Sequence, residues 1–296
     1  MAAERANHAV VTLCRAIGAS VSGFYAWRRA IPTARSRADA ELRGHIGRVF
    51  AARRRVFAAR RRVRGAPRVH AELRREGRRH SRRRVARLMR ELGLAAHRGR
   101  RRTPRTTDSR HDHAVAPNLL GRRFAADRPD AVWLADISHV PAGDGWLYLA
   151  AIEDMATREI VGWSMADHLR GELARDALVM ALQRCRPPRG LTHHSDRGVQ
   201  YASGPYREVL ERHGIRRSMS RRGNCLDNAP MESFFASLKR EQVHLTRFRT
   251  RAEAKAAVFD YVEIFYDRQR LHSALGHRTP AEVRASMGGI TMLQAA

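Results

Sequence analysis

Three scarcities bound what this 296-residue chain can be. Cysteine is the first: Cys14, Cys185 and Cys225 are odd in number and far apart, which excludes a disulfide framework and a paired-cysteine zinc site. Long apolar runs are the second. None approaches the roughly 18 residues of a membrane-crossing helix, and the opening MAAERANHAVVTLCRAIGAS is broken by charge where a signal peptide needs continuous apolar sequence. Acid is the third: 29 Asp and Glu stand against 57 Lys and Arg, a formal net charge of +28. The hydrophobic share of 43% still suffices for a core and excludes wholesale disorder. A reducing, cytoplasmic setting near the nucleoid is the expectation.

The charge is unevenly spread. Residues 1–128 hold 34 basic and 9 acidic side chains, residues 129–296 hold 23 and 20. The first part is a polycation suited to a polyanion through counterion release; the second is close to neutral. Only Lys239 and Lys255 are lysines, a compositional preference for arginine that does not explain the excess over acids.

The front reads as helical. In residues 1–35, Val10, Val11, Leu13, Cys14 and Ile17 make one apolar stripe, Gly18 breaks it, and Ser20 caps a helix carrying Phe24, Tyr25 and Trp27, a helix-turn-helix-like pattern. Residues 36–96 form a second, basic helical unit with Leu42, Ile46, Val49, Phe50, Val69 and Leu73 inward. Its last helix is capped by Ser81 and stripes Val85, Leu88, Met89 and Leu92 at helical spacing. Arg82, Arg83, Arg84, Arg87 and Arg90 cover its other faces, the composition of a helix that enters a DNA groove. Residues 53–64 carry two arginine triplets, and their role stays open. Residues 97–128 read as a basic linker whose Arg100, Arg101 and Arg102 suit a phosphate backbone.

From residue 129 to 285 the pattern is α/β, with 286–296 as a tail. Three strands come first, over Val132–Val140, Gly145–Ile152 and Glu159–Met165; then helix, strand, helix, strand and closing helices, the last using Ala254, Ala257, Val258, Tyr261, Val262 and Phe265. Trp146 and Trp163 are expected in the core.

Several carboxylates compete for a chemical role. Asp136 lies within the buried-strand pattern VWLADI, costly unless paired or metal-bound. Asp196 ends a strand in HHSDRG, where ligands gather in α/β sheets. Glu232 opens a helix after Asn228, a candidate N-cap, and Pro230; Lys239 stands two turns further on the same face. Three acids from three elements would make an oxygen-only site for Mg²⁺ or Mn²⁺, and two such ions can drive phosphodiester displacement. Asp144, Asp154, Asp227, Asp260 and Asp267 remain alternatives at this point. Asp154 reads as a pair with Arg158, and Asp227 as a helix cap.

The segments GAPRVHAEL (65–73), RVARLMRELGL (84–94), WLADI (133–137), GWLYLA (145–150), HHSDRGVQY (193–201), SMSRRGNCLDNAPMESFF (218–235), LKRE (238–241) and RLHSALGHRTP (270–280) occur in that order. Together they resemble the "IS-three" family of bacterial insertion-sequence transposases, whose catalytic half is a second reading frame and whose core is shared with retroviral integrases. Fifty-nine residues separate Asp136 from Asp196, and 35 separate Asp196 from Glu232. The resemblance implies a ribonuclease-H-like, mixed five-stranded sheet with flanking helices behind the basic helical region. It implies that Asp136, Asp196 and Glu232 hold two Mg²⁺ or Mn²⁺ ions for DNA cleavage and strand transfer, with Lys239 on DNA near the scissile end. His193, His194, Asn224 and Asn228 are expected to shape the site, and residues 220–228 to form a mobile loop over DNA. Implied partners are the insertion-sequence ends, target DNA, further copies of the chain and an upstream-frame protein or fusion. Arg64, His139 and Asp267 depart from the family, which more often has an aromatic residue, Tyr and Asn there. A decayed DNA-binding regulator and a stand-alone nuclease of the same fold are the alternatives.

Overall fold

The computed structural model describes residues 8–29, 32–51, 65–96 and 115–294. Two short helices come first, α1 (Val10–Ala16) and α2 (Val21–Arg29), bent 110° to each other across a four-residue turn, within the range of a helix-turn-helix. Among the described residues no single helix is long and apolar enough to cross a membrane.

The second helical unit comprises α3 (Ala34–Ala51), α4 (Ala66–Arg75) and α5 (Arg82–Glu91). Leu42, Ile46, Val49, Val69, Leu73, Val85, Leu88 and Met89 close on one another as its core. Ser81 accepts from the Arg84 amide and so caps α5, as its position before the apolar stripe requires. Asp39 of α3 is buried against α5, where its two oxygens accept from Arg84 Nε at 2.7 Å and Arg87 Nη2 at 2.6 Å.

The sheet has the order β3-β2-β1-β4-β5. β1 (Val132–Ala142), β2 (Gly145–Asp154) and β3 (Ile160–Ala166) form an antiparallel meander, while β4 (Thr192–Ser195) and β5 (Arg216–Met219) add in parallel beyond β1. This is the ribonuclease-H-like arrangement. The antiparallel strands need only tight turns, whereas each parallel addition needs a crossover helix. Those helices are α6 (Gly171–Cys185) before β4, and α7 (Val199–Ala202) with α8 (Gly204–Arg212) before β5.

One face of the sheet packs under α6 and α8, through Trp133, Ile152, Leu178 and Tyr206 among others. The other face packs under α9 (Ala229–Glu241) and α10 (Arg251–Phe259), through Leu134, Leu149, Phe234 and Val258. Both faces are covered, which explains why β2 reads as unbroken apolar sequence rather than alternating.

The closing segments differ from their expected form. The helix begun by α10 widens into a π-helical stretch, Asp260–Tyr266. Tyr261 and Tyr266 are five residues apart, about 140° around an α-helix, yet both are buried with ring centroids 6.0 Å apart. The wider turn is what lets both rings face inward. α11 (Pro280–Gln294) continues through the expected tail. The expected linker is also shorter at its downstream end: Ala116 and Leu120 are buried in the core, and Leu119 N–H donates to Ser218 Oγ at 2.9 Å. Chain ordering thus begins well before 129. Residues 97–114, with Arg100, Arg101 and Arg102, and the arginine triplets of 53–64 lie outside the described residues.

β3 and α6 approach so closely that a Cβ on Gly162 would stand 2.3 Å from the Ala177 carbonyl oxygen and 2.7 Å from Ala181 Cβ. Neither backbone can yield independently. Gly162→Ala is expected to cost about 1–3 kcal/mol of stability, read as a lower midpoint with an unchanged slope in urea unfolding.

Candidate active site

β1 pairs with β4 only over Val132–Leu134, so Asp136 lies just past the end of β4, where the β1 edge has no strand beside it. Asn228 fills that edge: its side-chain amide donates to the Ala135 carbonyl at 3.0 Å. It stands at the expected N-cap position of α9, but its side chain makes no capping hydrogen bond and instead joins the start of the helix to β1. Asp196 follows β4 directly, its Oδ1 accepting from Gly198 N–H at 2.9 Å. Glu232 sits in the first turn of α9 and Lys239 in its last.

These groups are brought within electrostatic reach. Burial, then the carboxylates of Asp196 and Glu232, push Asp136 well above the usual carboxylate range, against the Ile137 amide and Lys239, which pull it down. Burial lowers Lys239, and Asp136 partly restores it. Among the described residues no three His, Cys, Asp or Glu side chains form a metal-holding group. The donors are all carboxylate oxygen, suited to a hard divalent cation. Two buried polar atoms beside them, Asn228 Oδ1 and Tyr201 Oη, have no hydrogen-bond partner. The residues present therefore fit such an ion in chemistry.

Tyr201 was missed in the sequence. It is buried, and its hydroxyl is raised by burial, by Tyr206 and then by Asp136 and Asp196. Its place five residues after Asp196 was the available signal. Trp146 is a correction: it is 49% exposed, set edge-on to His139 with centroids 4.7 Å apart. Burial and then Lys239 lower the His139 imidazole, so this aromatic pair borders the Lys239 side of the site. Trp163 is half-buried against the core, its indole N–H donating to Glu263 at 2.8 Å.

His193 and His194 hold the floor of the site. His193 Nε2 meets the Tyr206 hydroxyl at 2.9 Å, and the two ring nitrogens of His194 meet Ser218 and Ser220 at 2.8 and 3.1 Å. Burial presses His193 to about 3 and His194 to about 4, so both stay neutral.

Residues 220–228 are tied down rather than hanging free. Asp227 is fully buried and accepts from Arg221, Arg122 and Asn118, at 2.8–3.0 Å. Hydrogen bonds from Arg221, against burial, hold its carboxyl far below the usual range. It is an anchor for the segment entering the core, not a helix cap. Asn224 accepts from Arg122 Nη2 at 3.0 Å and belongs to the same anchor. Asp154 does not pair with Arg158. It is buried and accepts from Thr157 and the Asp130 amide, while Arg158 bonds Glu153 at 3.2 Å.

On α5, Arg84 and Arg87 are spent on Asp39, and Arg87 also bonds Glu91. Arg82, Arg83 and Arg90 remain exposed, and Arg83 and Arg90 line an open groove with Arg35.

Two integrase core domain models match residues 126–225 and 213–280, and an HTH-like domain model matches residues 47–102. The transposase InsF of insertion sequence IS3A from Escherichia coli K12 is 38% identical over 281 residues, covering 94% of this chain and 95% of its own. The chain belongs to the IS3 family of insertion-sequence transposases. A 31 kDa protein of insertion element IS600 from Shigella sonnei is 45% identical over 272 residues, covering 92% of this chain and 97% of its own. Among solved structures, a simian T-cell lymphotropic virus intasome is similar at 14% identity, covering 73% of this chain and 70% of that one, with a TM-score of 0.43. The HTLV-2 integrase catalytic core domain in complex with magnesium is similar at 13% identity, covering 54% and 99%, with a TM-score of 0.41. The HTH-like match falls on the second helical unit of this transposase, not on α1 and α2.

Neutral, buried His193 and His194 make a pH prediction. Their folded-state values lie below the ordinary 6.5, so the unfolded chain binds more protons between about 4 and 6.5. Their contribution is complete above 6.5 and lost as pH falls toward 4. The melting temperature of His193→Gln is expected to fall less than that of the wild type between pH 7 and pH 5, measured by calorimetry.

Proposed function

We propose that this transposase cuts DNA at its insertion-sequence ends and joins the freed 3′-hydroxyl to a target phosphodiester, with Asp136, Asp196 and Glu232 as the carboxylates that hold two Mg²⁺ or Mn²⁺ ions. The observation that carries this reading is that Asp136 on β1 is buried and lies within electrostatic reach of Asp196 at the end of β4 and Glu232 at the start of α9. Bound ions would supply charge neutralisation at the reacting phosphate and activation of the attacking oxygen.

The protein's own part is placement. β1, pinned between β2 and β4, holds Asp136 still, and the Gly198 amide orients Asp196. The Asn228 amide holds the start of α9, and with it Glu232, against β1. Lys239 places a cation beside the carboxylates, where a DNA phosphate approaching them needs one. Because hydroxyl oxygens attack in both steps, no covalent protein–DNA intermediate is required. The polycationic helical unit grips the duplex through exposed Arg82, Arg83 and Arg90, and several copies of the chain assemble on the paired ends. An upstream-frame partner completes recognition.

Glu232→Gln removes one carboxylate charge at nearly constant shape. Joined product on DNA carrying the element ends, with Mg²⁺ or Mn²⁺, is expected to fall at least about 10³-fold, several kcal/mol of barrier, while DNA binding survives. Metal-independent binding by the wild type with no product, even with the upstream partner present, would leave a DNA-binding regulator; cutting without joining would leave a nuclease.

The arginines of α5 separate by the salt dependence of binding. Arg83→Ala and Arg90→Ala are each expected to flatten the slope of log affinity against log salt by about one unit. Arg84→Ala is expected to leave that slope and instead lower the melting temperature, because it strips a partner from Asp39.

A further inference from the structure

Two of the sequence segments singled out above, GAPRVHAEL and RLHSALGHRTP, contribute nothing to the carboxylate site, and neither does Glu241, the last residue of LKRE. The fold brings them to one place. Glu241, the last residue of α9, is 5% exposed, and Arg270 is 7% exposed. Arg270 reaches Glu241 with two nitrogens, Nε to Oε2 at 2.9 Å and Nη2 to Oε1 at 3.0 Å, and also donates from Nη2 to Ser237 at 2.8 Å. The Tyr261 hydroxyl donates to Glu241 Oε2 at 3.0 Å. The remaining donor comes from the other end of the chain: Arg68 Nη1 of α4 reaches Glu241 Oε1 at 2.9 Å, across 173 residues of sequence. A second tie, more exposed, joins Arg75 of α4 to Glu282 of α11.

Burial alone would raise the Glu241 carboxyl, but Arg270 and Arg68 hold it at about 2. The group is ionised throughout the working range. Such a carboxylate, taken out of water, is stable only while its partners stay. One of those partners belongs to the HTH-like unit, and the helix it closes carries Glu232 and Lys239.

We infer that Arg68 and Glu241 form a clasp that fixes the HTH-like unit against the end of α9, so that DNA held by the helical unit meets the carboxylate site at one set offset. Arg68 is a positioning residue: it touches neither the reacting phosphate nor its ligands. The inference rests on the proposed function for its consequence in catalysis and on the geometry alone for the docking.

Arg68→Gln tests it, because it keeps α4 helical and leaves Arg270 on Glu241. Two measurements run side by side on the full chain. Amide hydrogen exchange is expected to quicken in residues 66–75 and 270–282 together, with the sheet unchanged. On labelled element-end DNA, binding is expected to stay within about threefold of the wild type, while joined product falls by up to about 10²-fold and the cuts spread to neighbouring phosphodiesters. Arg68→Lys, which keeps one charged donor, is expected to return most of the single cut position. A purely structural role would lower yield without moving the cut. Unchanged exchange, an unmoved cut position, or a tenfold loss of DNA binding would each overturn the clasp. A wild type that makes no product at all defeats the proposed function, while the exchange measurement still decides the docking.

Discussion

Burial of acidic groups close to one another is the constraint on the half of this molecule built around the sheet. The Asp136 carboxyl is pushed up by burial and by the charges of Asp196 and Glu232. Each of the three is set on an element that cannot retreat: a central strand, the residue following a parallel strand, and the first turn of a helix whose apolar face is buried. The surrounding polar residues serve the same end. His193 and His194 spend their nitrogens on Tyr206, Ser218 and Ser220, and Asn228 spends its amide on β1. They fix β4, β5 and the start of α9 in place around the three carboxylates.

Much of this was legible in the residues. Periodicity fixed the three-helix core of Leu42, Val69 and Leu88, because packing of that kind depends on local spacing. Three strands in a row and then alternation suited an antiparallel meander followed by crossover units, and the family resemblance supplied the five-stranded mixed sheet. The carboxylates were not separable by physics from Asp154 or Asp227 until the family pattern was applied. The electrostatic reach of Asp196 and Glu232 to Asp136 depends on contacts between distant elements, which no local window contains. Asp154 and Asp227 prove instead to be acceptors for Thr157 and the Asp130 amide, and for Arg221 and Arg122.

The misreadings share a cause. The bonds of Arg84 and Arg87 to Asp39 were not legible because that carboxylate lies 45 and 48 residues away. Trp146 looked buried because β2 is apolar throughout, yet it lies at the hairpin end beyond the covering helices. The last helix looked regular because a π-helical stretch has no sequence period of its own; it arises where Tyr261 and Tyr266 must both reach buried acids, Glu241 and Glu153. In a chain so rich in arginine, net charge overstates the surface offered to DNA, since a good part of it is consumed in folding.

The Asp227 anchor also redraws the smallest unit that can stand alone. Asn118 and Arg122 lie upstream of the first strand, yet they satisfy a fully buried carboxylate two residues before the start of α9. A catalytic fragment cut at the point where the strand pattern begins would strand that charge with Arg221 alone and expose the seat of Ala116 and Leu120. The integrase core is thus not bounded by its sheet. Residues 116–122 belong to it, although they lie ahead of the first strand and read in the sequence as part of a basic linker.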